Sequence, residues 1–204
     1  ELQPALDAEP LEVFHYHNNM SGIDGAEAIA NILKECPQLT DFRFSTTRSL
    51  EAGCLFVAKA LATMENKFVK LNLSDNSFGG PSLEYTCTCL GKQSALISLD
   101  FRDSSLGEDG FNSVVDAILE AKPQLTFLDL SGNDLEADNG KDLNRLLCSL
   151  PTLCHLALDD NTIESEGAME VAKALKETKP CLQTLSMNFC DMTAAGAYDI
   201  AKNV

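Results

Sequence analysis

The chain has 204 residues, of which 45% are hydrophobic and 23% are charged, so it can bury a substantial core. Its 15 Lys and Arg against 31 Asp and Glu give a net charge of −16. Such an acidic surface repels phosphate backbones and anionic lipids, so we expect neither nucleic acid nor a membrane surface as a partner. No apolar run approaches the length of a membrane span, and residues 1–10 do not resemble a signal peptide.

One hydrophobic pattern recurs from end to end of the chain. The stretch FVKLNLSDNSF, residues 68–78, fits L-x-x-L-x-L-x-x-N-x-L. The first positions of successive units lie 28 or 29 residues apart, at Leu11, Leu39, Phe68, Leu96, Leu125, Leu153 and Leu182. This pattern is typical of leucine-rich repeats whose units each form a short strand and a helix. We therefore predict an α/β leucine-rich repeat solenoid of about seven repeats. It should be a ribonuclease-inhibitor-like crescent with a parallel inner sheet and outer helices.

The strand half of each unit predicts its own buried side. Positions 4 and 6, counted from the first Leu-type residue, are apolar throughout and two residues apart, so they point to one side of a strand. Position 9 holds Asn19, Thr47, Asn76, Ser104, Asn133, Asn161 and Cys190. An amide there can hydrogen-bond backbone groups that water cannot reach. These side chains form a ladder along the repeats, and we call each one a rung. We expect weaker rungs at Thr47, Ser104 and Cys190, whose side chains offer fewer hydrogen bonds.

The helix half is predicted by apolar or small residues at positions 16, 19, 20 and 23, a spacing that forms one helical face. Position 15 suits a tight turn or a helix entry, with Gly25, Gly53, Ser82, Gly110, Asn139, Gly167 and Gly196. The fifth unit breaks the pattern with Gly140 and Asn144, so its helix, around residues 141–147, is the least regular. Prolines should end the helices that precede them, at Pro37, Pro123, Pro151 and Pro180.

The repeat continues without insertion, so we expect a single domain over residues 1–204. Leu2 and Leu6 fit the tail of an earlier unit's helix, and Val204 falls at position 23 of the last unit. Both ends therefore stop inside a repeat, without the polar capping unit that a solenoid needs. This favours a fragment of a longer array.

Few residues suggest chemistry of their own. The eight cysteines include no C-x-x-C pair and lie mostly at small or apolar positions, so we expect reduced thiols. His15 and His17 share a strand face without a third ligand, so we predict no metal site. Asp100 and Asp129 could form a carboxylate pair, although a solvated polar face is the simpler interpretation. Since no catalytic motif is present, we expect no enzyme, no cofactor and no small-molecule substrate.

Two stretches resemble plant-type Ran GTPase-activating proteins. The first is FHYHNNMSGIDGAEAIANILKECPQLTDFRFSTTR, residues 14–48, which looks like two consecutive repeats of that family. The second is LNLSDNSFGG, residues 71–80, which is similar to repeats common across it. The resemblance implies a crescent that binds the small GTPase Ran in its GTP-bound form and stimulates GTP hydrolysis, in nucleocytoplasmic transport. Many activators insert an arginine finger. The resemblance implies instead an asparagine, on a strand-to-helix turn, that orients Ran's own glutamine.

The resemblance also implies which residues act. The GTPase-binding candidates are Asn18, Asn19, Arg48, Asp75, Arg102 and Asp103, and the catalytic candidates are Asn18 and Asn19. In one alignment, the turn at residues 17–19 matches the repeat after the catalytic one, so the critical asparagine and arginine lie upstream of Glu1. In the other, Asn18 or Asn19 is the catalytic asparagine. The simpler interpretations are that Asn19 is a buried ladder residue and Arg48 an exposed turn cation.

The alternative is a generic leucine-rich repeat protein-interaction scaffold without GTPase-activating activity. Such a scaffold relies on aromatic anchors, and Phe127 is the one aromatic residue at the inner-face positions 3, 5 and 7. In both interpretations the partner is a protein and carries any chemistry. We expect a cytoplasmic protein and leave open whether the full-length protein attaches to the nuclear envelope.

Overall fold

The computed structural model of the chain describes residues 11–65, 67–178 and 181–203. Within them, seven strands form one parallel sheet in chain order. The strands are β1 Val13–His17, β2 Asp41–Ser45, β3 Lys70–Asn72, β4 Ser98–Asp100, β5 Phe127–Asp129, β6 His155–Ala157 and β7 Thr184–Ser186. The helices are α1 Gly22–Lys34, α2 Leu50–Thr63, α3 Leu83–Leu90, α4 Gly107–Ala121, α5 Gly140–Ser149, α6 Glu164–Thr178 and α7 Ala194–Asn203. Strands and helices alternate, so the predicted solenoid is confirmed.

The strands pair in the register that the repeat period predicts. Position 4 meets position 4 across every pairing, from Phe14 opposite Phe42 to Leu156 opposite Leu185. Positions 4 and 6 are fully buried in the five inner repeats and half-buried in the first and last. No helix in the described ranges is long and apolar enough to cross a membrane.

Three of the described helices end just before a proline of the chain. Helices α1, α4 and α5 end shortly before Pro37, Pro123 and Pro151, as predicted. The remaining terminal predictions lie outside the described residues; they concern Leu2, Leu6, Pro180 and Val204.

The glycines at position 15 lie in the first turn of their helices, so the expectation of a helix entry is confirmed for them. They permit close packing: a Cβ at Gly53 would lie 2.7 Å from Ser49 Cβ and 3.0 Å from Ala26 Cβ. In the third and fifth repeats, Ser82 and Asn139 take this position. There the chain forms a 3-10 turn, and helices α3 and α5 have only 8 and 10 residues.

The break in the pattern of the fifth repeat results from the close approach of α5 to α6. A Cβ at Gly140 would lie 2.6 Å from the Cα of Gly167, a distance that side chains do not tolerate. Asn144 Nδ2 donates a hydrogen bond of 2.9 Å to the carbonyl of Glu170. Gly140 therefore lets α5 approach α6 closely, and Asn144 bonds the two helices. Larger apolar side chains at these positions would separate the two repeats.

We predict that Gly140→Ala lowers the free energy of unfolding by about 1–3 kcal/mol, because the added methyl group clashes with backbone. Lys141→Ala, at the exposed next residue, should change it by less than about 0.5 kcal/mol. Urea unfolding followed by circular dichroism measures both. Equal stabilities of the two variants would contradict the close packing of α5 on α6.

Candidate functional site

Buried asparagine side chains hold the chain where the strands end. Asn133 Nδ2 donates to the carbonyl of Phe101, in the preceding repeat, at 2.7 Å. Its Oδ1 accepts a hydrogen bond of 3.1 Å from the backbone N–H of Ser104. Asn161 bonds in the same way to Leu130 O at 3.1 Å and to the N–H of Asn133 at 3.0 Å. These amides satisfy backbone groups that are shielded from water, as the sequence predicts.

Thr47, Ser104 and Cys190 make fewer side-chain hydrogen bonds at position 9 than the buried asparagines do. Ser104 donates one hydrogen bond of 3.4 Å within its own turn. The Cys190 thiol reaches the carbonyl of Leu158 at 3.2 Å, and the Thr47 hydroxyl bonds forward to the Asn76 side chain at 2.7 Å. The prediction that these three side chains make fewer hydrogen bonds than the buried asparagines is confirmed. Asn19 donates to the carbonyl of His17, two residues back, as Asn76, Asn133 and Asn161 do in their own turns, but its side chain is exposed in this first described repeat. Asn19 therefore occupies the predicted ladder position without the predicted burial.

The residue before each rung has a left-handed backbone. The angle φ is between 49° and 64° at Asn18, Thr46, Asp75, Asp103, Gly132, Asp160 and Phe189. In the inner repeats, the N–H of this residue donates to the next repeat, for example from Asp75 to the carbonyl of Arg102 at 2.8 Å. Asp75, Asp103 and Asp160 are exposed here. We name the row formed by residues 18–20, 46–50, 75–77, 103–105, 132–134, 160–162 and 189–191 the turn edge.

One open cleft on the turn edge collects residues from three consecutive repeats. Arg48, Asp75 and Asp103 line this cleft, whose volume is about 430 Å³. The other lining residues are Thr46, Ser49, Leu50, Asn76, Ser77 and Ser105. Three of the residues that the resemblance implied for GTPase binding are thus brought together. The cleft can offer one guanidinium and two carboxylates to a partner surface.

Asp103 is held in place by its neighbours. A Cβ at Gly132 would lie 2.0 Å from Asp103 Oδ1, so the carboxylate occupies the space that this glycine leaves. Arg102 Nη1 lies 3.9 Å from Asp103 Oδ2, with both side chains about half exposed. Burial raises the pKa of Asp103, the Arg102 guanidinium opposes this rise, and nearby carboxylates, Asp75 first, add to it. A cation from a partner would therefore be stabilised here.

Asn18 and Asn19 lie on the same turn edge, at the end of β1, and both side chains are exposed. The Asn18 N–H donates to the carbonyl of Ser45 at 3.0 Å. Neither asparagine lines the cleft, which begins one repeat later at Thr46. The structure therefore separates the two catalytic candidates from the three residues of the cleft.

Charged side chains on the inner strand face contact charged or polar neighbours. Asp41 accepts a hydrogen bond of 2.8 Å from His15 Nε2 and lies 3.5 Å from Lys70 Nζ. Asp100 and Asp129 are half-buried, and burial is the main cause that raises the pKa of Asp100. No group of three or more His, Cys, Asp or Glu in the described part of the chain could hold a metal ion. The eight cysteines, all within the described residues, form no disulfide bond.

The sequence interpretation missed three exposed apolar residues on the turn edge, of which Met20 is 79% exposed. Leu50 and Phe189 are 67% and 82% exposed, and both have a left-handed backbone. Phe189 occupies position 8, where the inner repeats place exposed Asp75, Asp103 and Asp160. A position-by-position comparison of the repeats would have found Phe189, because the other residues at that position are small or polar.

Comparison with known proteins agrees with the repeat. The family model described as Leucine Rich repeat matches residues 149–172 and 178–201. The chain is a leucine-rich repeat domain. Relatives of this leucine-rich repeat domain include the ribonuclease inhibitor of Sus scrofa, 27% identical over 194 residues. That match covers 95% of this chain and 42% of the relative.

Another relative is the "NACHT, LRR and PYD domains-containing protein 12" of Mus musculus. It is 25% identical over 222 residues, which cover 94% of this chain and 21% of that protein. The leucine-rich repeat domain thus spans less than half the length of these relatives. Among solved structures, an internalin of Listeria monocytogenes matches 85% of this chain and 55% of its own, with 12% identity and a TM-score of 0.42.

We predict that Phe189→Asn raises the free energy of unfolding by about 1 kcal/mol, because asparagine tolerates the left-handed backbone better than phenylalanine does. Phe189 is 82% exposed, so little buried area is lost. Phe189→Leu serves as the control, since leucine keeps an apolar side chain without relieving the strain. Thermal unfolding measures the variants; a lower stability of Phe189→Asn would mean that Phe189 stabilises the fold through contacts.

Proposed function

We propose that this leucine-rich repeat domain is a protein-interaction scaffold that binds a folded protein partner with its turn edge. The observation that carries the proposal is the cleft in which Arg48, Asp75 and Asp103 meet. Their side chains project from turns whose backbone is fixed by hydrogen bonds between repeats, so little ordering is needed on binding. The name of one relative, a ribonuclease inhibitor, describes a protein that acts on another protein, which supports the same kind of role.

The charge of the turn edge indicates a basic partner surface. Five exposed carboxylates lie along it, at Asp75, Asp103, Asp134, Asp160 and Asp191. Arg48 is the exposed cation of the cleft and requires one acidic group on the partner. Exposed Met20, Leu50 and Phe189 add apolar contacts at three points. Such complementarity determines specificity and the rate of association more than the affinity itself.

A charge reversal on the turn edge tests the scaffold. We expect Asp75→Lys with Asp103→Lys to weaken binding by about tenfold or more, because two carboxylates that face a basic surface become repulsive. The matched control is Glu35→Lys with Glu177→Lys, which changes the net charge equally at exposed positions near helix C-termini. Partners are captured from cell extract, identified by mass spectrometry, purified and titrated with each variant. If both double variants bind alike, the turn edge is not the binding surface.

A second candidate function is the stimulation of GTP hydrolysis by Ran. The names of the two relatives described above do not mention Ran. The observation in favour is that Asn18 and Asn19 are both exposed on the turn edge that also carries Arg48. Asn76, Asn133 and Asn161 are buried at the corresponding position, whereas the side chains of Asn18 and Asn19 are exposed in the first described repeat. In this function Ran supplies the chemistry and an asparagine of this chain positions the glutamine of Ran.

Single-turnover hydrolysis of GTP by purified Ran, with this chain titrated in, tests the second candidate. We expect stimulation that falls at least about a hundredfold in Asn18→Ala with Asn19→Ala, because the positioning amide is lost. Asn31→Ala, at an exposed helix residue, is the control, and circular dichroism shows that each variant is folded. Absence of stimulation by the unmodified chain would exclude the activity for these 204 residues. Binding to GTP-loaded Ran without stimulation would leave a Ran-binding scaffold.

A further inference from the structure

A groove opens between helices α3 and α4, on the outer side of the solenoid. Its volume is about 630 Å³, larger than that of the cleft on the turn edge. Helix α3 has 8 residues, whereas its neighbours α2 and α4 have 14 and 15. The short helix follows from the 3-10 turn at Gly80–Ser82, which replaces the first helical turn of other repeats. The layer of outer helices is therefore incomplete at this point.

The groove has two defined ends. At one end α3 lies close to α4. A Cβ added at Gly110 would lie 3.3 Å from Leu83 Cδ2. At the other, a Cβ at Gly91 would lie 3.2 Å from Glu120 Oε2. A helix of this length gives a groove about 12 Å long. Such a groove accommodates a short peptide segment of about four extended residues.

The chemistry of the lining is asymmetric. The floor is apolar, formed by half-buried Leu83 and Cys87 and by buried Ala117. The rim is acidic, with the exposed carboxylates of Glu84, Asp116 and Glu120. The remaining lining residues, Gly80, Thr88 and Ser113, are uncharged, so no basic residue lies among those that line the groove.

A guanidinium from this chain already binds the rim. Arg145, on α5, donates from Nη2 to Asp116 Oδ1 at 2.7 Å and from Nη1 to Asp142 Oδ1 at 2.8 Å. Glu84 and Glu120 carry the same charge and lie beside a partly apolar surface. Glu84 and Glu120 lie toward opposite ends of the groove and form no such ion pair within the described residues, so a basic side chain at each end would add a favourable charge contact.

We propose that the groove between α3 and α4 binds a short basic segment of a partner protein. Basic side chains of the segment lie beside Glu84 and Glu120, toward the two ends of the groove, and an apolar side chain between them packs on Leu83, Cys87 and Ala117. This surface lies on the outer helices, whereas the turn edge borders the inner sheet. The inference is therefore independent of the proposed scaffold function, and both surfaces can be occupied together.

Fluorescence anisotropy with a labelled, amidated peptide of alternating arginine and leucine tests the proposal. We expect Glu84→Gln with Glu120→Gln to weaken binding of the peptide about tenfold. The matched control is Glu27→Gln with Glu177→Gln, which removes the same charge from exposed positions on α1 and α6 and should change the affinity less than about twofold. Equal weakening by both pairs would overturn the proposal, since it would mean general attraction to an acidic protein.

Cys87 supplies a second measurement on the unmodified chain. Burial, with a smaller contribution from Asp116, raises the pKa of its thiol to about 11, so alkylation is slow and easily followed at alkaline pH. We expect the peptide to slow alkylation of Cys87 several-fold and to leave exposed Cys148, outside the groove, unchanged. Mass spectrometry of proteolytic peptides measures the two rates. A Cys87 rate that the bound peptide does not alter would overturn the proposal, whatever the anisotropy shows.

Discussion

The buried asparagine rungs are the constraint on which the rest of the structure depends. Where a strand ends inside a solenoid, its last carbonyl and N–H groups are shielded from water and need partners. Asn133 and Asn161 supply an acceptor and donors to two repeats at once. Because each rung must meet the next, the repeat length stays at 28 or 29 residues and the strands stay in register. An insertion within a turn would leave several buried polar groups unpaired.

Hydrogen bonds between repeats fix the backbone of the turn edge and leave several of its side chains exposed. A left-handed residue before each rung sends its N–H to the next repeat, while exposed side chains such as Asp75 and Asp160 remain available to a partner. The backbone is thus fixed while the side chain can vary without cost to the core. Phe189 is the clearest case, since its aromatic ring is exposed on a backbone that disfavours it. Variation at this edge can therefore leave the fold unchanged, which fits the binding role proposed for it.

The outer helices are less constrained than the strands. Glycine at the helix entry lets most of them approach the neighbouring repeat, as Gly53 and Gly167 do. Ser82 and Asn139 replace it in two repeats, and the helices there are short. Gly140 restores a close approach in the fifth repeat, whereas the third is left with the groove between α3 and α4. The solenoid therefore presents two surfaces. The turn edge results from the turns that follow the strands, and the groove results from the short helix α3.

The sequence alone determined the period, the parallel sheet, the buried faces and the weaker rungs, because each follows from spacing within one unit. It also indicated Arg48, Asp75 and Asp103, although through a resemblance. Only the tertiary structure decided that these three residues share a cleft, since contacts between repeats depend on how closely each unit stacks. It also decided that Asn19 is exposed and that an acidic groove separates α3 from α4. Stacking distances depend on Cβ atoms that glycines such as Gly140 lack, and the repeat pattern does not contain that information.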